Sequence, residues 1–341
     1  MDTIILKMGN LCNLSCRYCS QEHLQKGRVG AEISPALFSF LDEQKDKGVL
    51  IQFYGGEPLV YWSVVESIVE RYQDGFSYML VTNGTLLKKE HVDLFNKHSV
   101  RCLVSHDGMH TRRTKGKDIL KSKRIVQLLH SLDNMEFISV ISKENSRIDV
   151  LYDFYRHIGF GDTQVNLVFL VNHGSRGQRL LSNIDFAEFR KGVRGAVIRF
   201  ELHRMGLSDY PAEYRFVHSF LSKMLEVKNE SIKGYIPKCS TCGYFTGMDK
   251  IVVDLCGNIY DCQNQDNIIG NVADGIVSKD MDDLPPKELG CATCLHRSYC
   301  EGVCPNSTRE GGELWCRFYR IIYDELLAFV KQKGEEMRGE V

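Results

Sequence analysis

The sequence lacks three features: a long hydrophobic run, an excess of charge of one sign, and a repeated or low-complexity tract. Lysine and arginine total 43 and aspartate and glutamate total 44, so no global basic field attracts nucleic acid or an anionic membrane surface. No stretch approaches the roughly 18 apolar residues of a transmembrane helix, and the start, MDTIILKMGNLC, is not an export signal. We therefore expect a cytoplasmic protein without nucleic acid or membrane partners.

Cysteine, in contrast, is abundant, with 13 residues in a chain of 341. A secreted disulfide scaffold would be short and would carry an export signal, so these thiols are expected to be metal ligands kept reduced in a cytosol. A chain of this length can bury a large core and is expected to hold two domains.

The first half of the chain alternates apolar, β-branched runs with amphipathic stretches of helical length. Because such alternation is typical of a parallel sheet covered by helices, either an open doubly wound sheet or a partial barrel is expected. In both folds ligands gather at the carboxyl ends of the strands, and GNLCNLSC, GGEP, TNG and HDG follow the first four strands here. Strands are predicted at 3–8, 49–54, 77–81, 100–105, 136–142 and 164–171, and helices near 34–47, 60–73, 87–98, 118–132 and 148–158.

The second half has a different pattern. Two charged helical stretches, within 183–204 and 212–227, are interpreted as bridging helices. Nine of the 13 cysteines then lie between residues 239 and 316, around a predicted hairpin at 250–262. A last amphipathic helix is predicted at about 317–333.

Cys12, Cys16 and Cys19 form a C-x-x-x-C-x-x-C array directly after the first strand. Zinc suits cysteines spaced by two residues, but a structural zinc site is closed by four ligands. An iron–sulfur cube fits three thiolates better, because it can leave its fourth iron open.

Together with YGGEP at 54–58, TNGTLL at 82–87 and VSHDG at 104–108, this loop resembles the radical S-adenosylmethionine (SAM) superfamily over residues 1 to 171. The resemblance implies an α/β fold, a partial (β/α)6 TIM-like barrel, whose three cysteines hold a 4Fe–4S cluster. SAM would bind the fourth iron through its amino and carboxylate groups. Reductive cleavage of SAM would release a 5′-deoxyadenosyl radical, which takes a hydrogen atom from the substrate.

The same resemblance implies a set of SAM contacts. Glycines of GGEP would allow close approach of the backbone, and the glutamate would accept a hydrogen bond from the SAM ammonium. The aspartate of VSHDG has the alternative interpretation of a cap or turn residue. The implied SAM-binding residues are Tyr18, Gly55, Gly56, Glu57, Thr82, Asn83, Ser105 and Asp107.

A second cysteine array resembles the SPASM extension of radical SAM enzymes over residues 237 to 320. It reads C-x2-C-x5-C-x3-C from residue 291 to residue 304, with a further cysteine at 316 and a C-x14-G-x4-C element at 242–262. The resemblance implies two auxiliary 4Fe–4S clusters beside the SAM cluster. Auxiliary cluster I is assigned to Cys239, Cys242, Cys262 and Cys304, and auxiliary cluster II to Cys291, Cys294, Cys300 and Cys316.

The predicted organisation is a radical SAM barrel at 1–185, bridging helices at 186–236, a SPASM domain at 237–320, and a C-terminal helix and tail at 321–341. Cys102 is expected to be a buried, inert thiol within a strand. Cys256 is a spare thiol, a replacement ligand for Cys239, or a hydrogen-atom donor.

No catalytic base is identified by a motif. The candidates are Cys256, Asp266 and His106, and surface or supporting roles are the alternative for His106 and for the nearby His23 and His110. The basic run at 112–117 is expected to be a solvated loop, with contact to an acidic leader peptide as the alternative.

SPASM enzymes mostly act on peptides or proteins, so the resemblance implies oxidative modification of such a substrate, for example by a crosslink or thioether. It also implies a flavodoxin, ferredoxin or other reductase as electron donor, and a monomer is expected. Because the first cluster cysteine is residue 12, no leader-binding domain is expected ahead of the barrel, and the substrate would be recognised by barrel and SPASM surfaces or through a separate protein.

Three alternatives stay open. A formylglycine-generating sulfatase maturase typically has aspartate after the cysteine of the G-x4-C element, where this chain has Gln263, although Asp266 is close by. A small-molecule dehydrogenase or carbon–carbon bond former would use the extra clusters as electron exits. A non-catalytic iron–sulfur or zinc protein would leave the SAM-type loops unexplained.

Overall fold

The computed structural model describes residues 1–16, 18–19, 21, 32–109, 118–168, 183–225, 250–275, 291–300, 302–304, 307 and 309–338. The chain divides into two compact units. The first comprises Met1–His106, Arg112–Phe137 and Thr241–Pro285, and the second comprises Asp107–Thr111, Ile138–Ser240 and Pro286–Val341.

The described residues form nine strands and eight α-helices. The strands are β1 (Thr3–Lys7), β2 (Leu50–Tyr54), β3 (Ser77–Thr82), β4 (Arg101–Ser105), β5 (Met135–Val140), β6 (Val165–Val168), β7 (Lys250–Asp254), β8 (Asn258–Tyr260) and β9 (Ile268–Asn271). The helices are α1 (Pro35–Gln44), α2 (Trp62–Tyr72), α3 (Lys89–Lys97), α4 (Lys123–His130), α5 (Ile148–His157), α6 (Phe186–Arg204), α7 (Pro211–Leu225) and α8 (Arg309–Arg338). The alternation of strands and helices predicted for the first half of the chain is confirmed.

The sheet of the first unit has the strand order β4-β3-β2-β1-β7-β8-β9. Strands β1 to β4 pair in parallel, as predicted, with Lys7 opposite Tyr54 at the carboxyl ends of β1 and β2. Strand β7 pairs in parallel with β1, whereas β8 and β9 return antiparallel. The loops that follow β1, β2 and β3 therefore leave the same edge of the sheet.

Local sequence explains how the first helix forms. Ser34 caps helix α1 by accepting a hydrogen bond from the Leu37 N–H at 3.1 Å, and Pro35 takes the first helical position, where its missing N–H costs nothing. The helix ends at Gln44, three residues before the predicted end, and Gly48 then turns the chain into β2 with a φ of 71°.

The two faces of the sheet differ in burial on strands β2 and β3, whereas β1 is buried on both faces. Side chains such as Ile4, Leu6 and Phe53 are fully buried on one face, as in a sheet covered by helices. On the other face Tyr54 and Met79 are only half-buried. Lys7 belongs to this second face because it pairs with Tyr54.

The second unit contains helices α5 to α8, strand β6 and the end of β5. Glu213 of α7 is fully buried and binds Arg156 of α5 at 2.8 Å and Arg199 of α6 at 3.1 Å. Phe186 and Phe189 of α6 pack against Phe318 of α8. A buried carboxylate with two guanidinium partners thus joins three helices, and an aromatic cluster adds the fourth.

The predicted boundaries of the last helix were wrong, because α8 begins at Arg309 and ends at Arg338. Gly311 and Gly312 lie in its first turn, and glycine disfavours helix, so the sequence pattern placed the start too late. The correction puts Cys316 on a helix.

Several predictions fall outside the described residues: the ligands Cys239 and Cys242, the histidines His23 and His110, the basic run at 112–117, and the end of the sixth predicted strand. Among the residues that are described, none of the helices has the length and apolar character to cross a membrane.

Candidate active site

The loop that carries the first three cysteines is fixed by backbone hydrogen bonds to the GGEP loop after β2. The Gly56 N–H donates to the Gly9 carbonyl and the Glu57 N–H donates to the Leu11 carbonyl, both at 2.8 Å. The Tyr61 hydroxyl accepts a hydrogen bond from the Leu11 N–H at 3.0 Å. These bonds hold the chain immediately before Cys12 in one position.

Only glycine fits at this contact. A Cβ atom at Gly56 would lie 2.1 Å from the Leu11 carbonyl oxygen, and one at Gly55 would lie 2.5 Å from that of Gly9. Gly55 also has a φ of 148°, a conformation that other residues rarely adopt. In the structure these two glycines allow the GGEP backbone to pack closely against the backbone of the cysteine loop.

The loop after β3 binds the cysteine loop through three side chains, which we call the amide triangle: Asn13, Asn83 and Thr85. Asn13 Nδ2 donates to Thr85 Oγ1 at 2.7 Å, Thr85 Oγ1 donates to Asn83 Oδ1 at 2.6 Å, and Asn83 Nδ2 donates to Asn13 Oδ1 at 2.9 Å. Asn83 Nδ2 also lies 3.9 Å from the Cys12 sulfur. This closed ring positions the first thiol.

Glu57 joins the second and third loops. Its side chain is 1 % exposed, and its carboxylate accepts hydrogen bonds from the Thr82 hydroxyl at 2.7 Å, the Asn83 N–H at 2.7 Å and the Leu59 N–H at 3.1 Å. Burial raises the pKa of Glu57 even though these hydrogen bonds act to lower it. The structure gives Glu57 a supporting role, and its contact with the SAM ammonium stays a prediction.

Cys12 and Cys19 are exposed, whereas Cys16 and Tyr18 are half-buried. Partial burial of the sulfur raises the pKa of Cys12, and the nearby charges of Glu57 and Cys19 add to this effect. All the described cysteines are thiols, outside any disulfide. Over the described part of the chain, no three cysteine, histidine or acidic side chains are grouped tightly enough to bind one metal ion. In a four-iron cluster each thiolate binds a different iron, so cluster ligands lie farther apart than the ligands of one metal ion. The absence of a single-ion site therefore does not bear on a cluster.

The residues after β4 have mainly structural partners. Ser105 is half-buried at the end of the strand, and Asp107 is 6 % exposed with its Oδ1 accepting a hydrogen bond from the Val140 N–H at 2.9 Å. This hydrogen bond agrees with the alternative interpretation of Asp107 as a cap or turn residue. Its contact with SAM stays a prediction.

His106 is 2 % exposed, and its Nε2 lies 3.0 Å from Asp118 Oδ1. Burial acts to raise the pKa of Asp118, but hydrogen bonds from His106 and the Leu120 N–H outweigh it, so the pKa is lowered. Because the His106 ring is buried and its Nε2 contacts Asp118, the structure favours a supporting role for His106 over open acid–base chemistry.

The second cysteine array forms a thiol cluster in the second unit. The pKa of Cys300 is raised to about 11, chiefly by burial and in addition by repulsion from the nearby thiolates of Cys316, Cys294 and Cys291. The pKa of Cys316 is raised by burial and by Cys291 and Cys294 in the same way. A bound metal centre would offset this repulsion between buried thiolates, because its positive charge stabilises them. These are the four cysteines predicted for auxiliary cluster II.

The remaining described cysteines have distinct positions. Cys262 in the first unit and Cys304 in the second are both buried. Cys256 is exposed in the turn between β7 and β8, whereas Cys262 follows the far end of β8.

Cys102 is fully buried in β4, as predicted, and burial raises its pKa to about 12. Its thiol is thus protonated and shielded at neutral pH.

The segment after Cys262 lies against the half-buried face of the sheet. Lys7 is 4 % exposed, and its Nζ donates to Asp266 Oδ1 at 2.7 Å and to the Gln265 carbonyl at 2.6 Å. The Tyr54 hydroxyl donates to Asn264 Oδ1 at 2.8 Å. Because Lys7 and Tyr54 directly precede the cysteine and GGEP loops, Asp266 is brought close to both.

Sequence reasoning missed Lys7, Tyr61, Asn13 and Thr85. Asn13 and Thr85 lie inside the motifs already quoted, and Lys7 is the one charged residue of the apolar strand TIILK. Those two signals were available in the sequence, whereas the role of Tyr61 depends on a contact across 50 residues.

Comparison with known proteins agrees with this geometry. Residues 6–146 match the family model described as Radical SAM superfamily. Among curated proteins, the radical SAM cyclopropyl synthase TigE of Paramaledivibacter caminithermalis is 21 % identical, with 95 % of this chain and 73 % of TigE aligned. The uncharacterized protein MJ0907 of Methanocaldococcus jannaschii is 26 % identical, with 85 % of this chain and 94 % of that protein aligned.

Among solved structures, native anSMEcpe with bound AdoMet has a TM-score of 0.68 at 17 % identity and covers 97 % of this chain and 99 % of its own. Streptococcus suis SuiB bound to the precursor peptide SuiA has a TM-score of 0.57 at 15 % identity and covers 90 % of this chain and 74 % of its own. At such identities the likeness shows the fold. Residues 6–146 match the radical SAM superfamily, and this matched region includes the cysteine loop and the loops that follow β2, β3 and β4.

Proposed function

We propose that this enzyme binds SAM on a 4Fe–4S cluster held by Cys12, Cys16 and Cys19 and oxidatively modifies a peptide or protein, for example by a crosslink or thioether. The observation that carries the proposal is the separate thiol cluster of the second unit, a SPASM-type feature downstream of a radical SAM domain. SuiB bound to its precursor peptide and anSMEcpe bound to the Cp18Cys peptide have the same fold, which supports a peptide-sized substrate.

The residues of the first unit fit this chemistry. When bound, the cluster and SAM supply a 5′-deoxyadenosyl radical that takes a hydrogen atom from the substrate. The GGEP backbone and the amide triangle fix the cysteine loop, so the thiolates keep one orientation. Glu57 keeps the second and third loops together, where Thr82 and Asn83 would face the SAM carboxylate or ribose.

The auxiliary clusters are proposed to carry away the electron that remains after hydrogen abstraction. Thiolates are the preferred ligands of iron–sulfur clusters, and Cys291, Cys294, Cys300 and Cys316 supply four of them close together. Auxiliary cluster I would use Cys262 and Cys304, with Cys239 and Cys242 outside the described residues. We propose Cys239 as the fourth ligand, with Cys256 as the alternative.

Asp266 is proposed as the proton acceptor of the substrate. It is 46 % exposed, so substrate can approach it, and the salt bridge with the buried Lys7 keeps it beside the cysteine and GGEP loops. Cys256 is the alternative as a hydrogen-atom donor, because its turn follows the carboxyl end of β7 beside β1. A flavodoxin or ferredoxin is proposed as the electron donor to a cytoplasmic monomer.

The test is anaerobic reconstitution followed by turnover. We expect about twelve irons per chain, four for each of three clusters, and 5′-deoxyadenosine on addition of SAM and dithionite. Short peptides encoded beside the gene should then change mass by loss of hydrogen. Binding of only about four irons, or no 5′-deoxyadenosine, would refute the proposal, and turnover of small metabolites instead of peptides would favour the small-molecule alternative.

A further inference from the structure

We propose that Tyr54 raises the reduction potential of auxiliary cluster I by fixing a hydrogen bond to the sulfur of Cys262. The inference rests on the proposed function, because it assumes that Cys262 is a ligand of that cluster. Tyr54 is the last residue of β2 and directly precedes the GGEP loop. It is a positioning residue, because it acts on the sulfur through Asn264.

The first observation is a hydrogen bond to the Cys262 sulfur from the chain itself. Cys262 is 2 % exposed, and its sulfur accepts a hydrogen bond from the Asn264 N–H at 3.4 Å. The same contact, from the N–H two residues after a cysteine, occurs at two other predicted ligands. These donors are the N–H groups of Leu14, at Cys12, and of Gly302, at Cys300, both at 3.4 Å. Such a hydrogen bond thus accompanies one cysteine of each predicted cluster.

The second observation is that side chains of the sheet hold the turn that carries this donor. The Tyr54 hydroxyl donates to Asn264 Oδ1 at 2.8 Å, and Lys7 Nζ donates to the Gln265 carbonyl at 2.6 Å. Tyr54 and Lys7 pair at the carboxyl ends of β2 and β1. The sheet therefore holds the turn after Cys262 in place at two successive residues.

Tyr54 itself is well anchored. Its carbonyl accepts a hydrogen bond from the Met8 N–H at 2.8 Å. Its half-buried side chain packs against a buried cluster from three neighbouring strands, formed by Ile5, Val252 and Tyr260. Because the ring is held by these contacts, its hydroxyl can fix the Asn264 side chain and, through it, the direction of the Asn264 N–H.

The expected effect has a definite sign. Reduction of the cluster adds one electron, supplied by dithionite in the test, and breaks no bond. A hydrogen bond to a ligand sulfur stabilises the more negative, reduced state, so it raises the reduction potential. With the Tyr54 hydroxyl in place, auxiliary cluster I is therefore a better acceptor for the electron that the substrate gives up.

The experiment is a potentiometric titration of the reconstituted full chain with dithionite, followed by electron paramagnetic resonance. The signal of auxiliary cluster I is the one that Cys262→Ala removes. Tyr54→Phe removes the hydroxyl and keeps the ring, whereas Asn264→Ala removes the acceptor of that hydroxyl and keeps the backbone N–H. The matched control is Tyr72→Phe in the same unit, since the Tyr72 hydroxyl also donates at 2.8 Å, to Asp42 Oδ1. Iron is counted in every sample.

We expect Tyr54→Phe to keep its iron and to lower the ratio of reduced to oxidised auxiliary cluster I about threefold at the wild-type midpoint, which is about 28 mV for one electron. Asn264→Ala and the double variant should show the same shift, because all three lose one and the same hydrogen bond. Tyr72→Phe should show no shift.

Three results would overturn the inference alone: a fully loaded Tyr54→Phe with the wild-type midpoint, a shift in Tyr54→Phe that Asn264→Ala lacks, or a Cys262→Ala chain that keeps every signal. If Tyr54→Phe loses iron, the midpoint of Asn264→Ala decides, and loss of iron from both variants overturns the effect on the potential. A wild-type chain with only about four irons would instead overturn the proposed function.

Discussion

The contact between the GGEP loop and the cysteine loop makes Gly56→Ala a sharp test of the site. The added methyl would lie 2.1 Å from the Leu11 carbonyl oxygen, whereas such contacts are essentially never below 3.0 Å. The two loops must therefore separate by about 0.9 Å, and neither atom belongs to a flexible side chain. This separation strains the hydrogen bonds from Gly56 and Glu57 to the cysteine loop.

The magnitude follows from these contacts. Two weakened backbone hydrogen bonds cost about 2 kcal/mol, and an overpacked contact adds about 1–3 kcal/mol. A displacement of about 1 Å in a positioned reactant typically lowers the rate about a hundredfold. We therefore expect Gly56→Ala to cleave SAM at about one hundredth of the wild-type rate.

The assay is the rate of 5′-deoxyadenosine formation with SAM and dithionite, after iron has been counted. Gly334→Ala is the matched control, because its added Cβ lies 3.5 Å from the nearest atom, the end of the Arg338 side chain, within α8. That substitution should leave the rate unchanged. A Gly56→Ala enzyme with full iron and a rate within twofold of wild type would refute the positioning argument.

Three further predictions concern single side chains. Thr85→Val keeps the shape of the side chain but removes the hydroxyl that closes the amide triangle. The dissociation constant for SAM, measured by calorimetry, should therefore rise about tenfold, with partial recovery in Thr85→Ser. Equal SAM affinities of Thr85→Val and wild type would contradict this prediction. Asp266→Asn leaves the buried Lys7 without its carboxylate partner, so stability should fall by about 2 kcal/mol, between the values for exposed and buried pairs, and the melting temperature by a few degrees. An unchanged melting temperature would show that the salt bridge does not hold this segment. Cys256→Ser should retain the wild-type iron content, and a loss of about four irons would make Cys256 a ligand.

Much of the fold could be predicted from the sequence, because strands such as TIILK and LIQFY are short apolar runs separated by amphipathic helices. The positions of the motif residues at the candidate site were predictable for the same reason, since each motif follows a strand. The pairing of Lys7 with Asp266 could not be predicted, because the two residues are 259 positions apart and no local pattern encodes their contact. The pairing of β7 with β1 is equally long-range.

The site combines buried anchors with accessible thiols. Glu57, Thr82 and Asn83 are all less than 9 % exposed, and Glu57 binds both of the others, whereas Cys12 and Cys19 are exposed. A buried polar network with every partner in place is rigid, because breaking one of its bonds leaves a desolvated group behind. The exposed thiols therefore stand beside a rigid, buried base. A radical enzyme needs both features, since its cofactor must be accessible to the substrate and must also keep one orientation toward the substrate hydrogen.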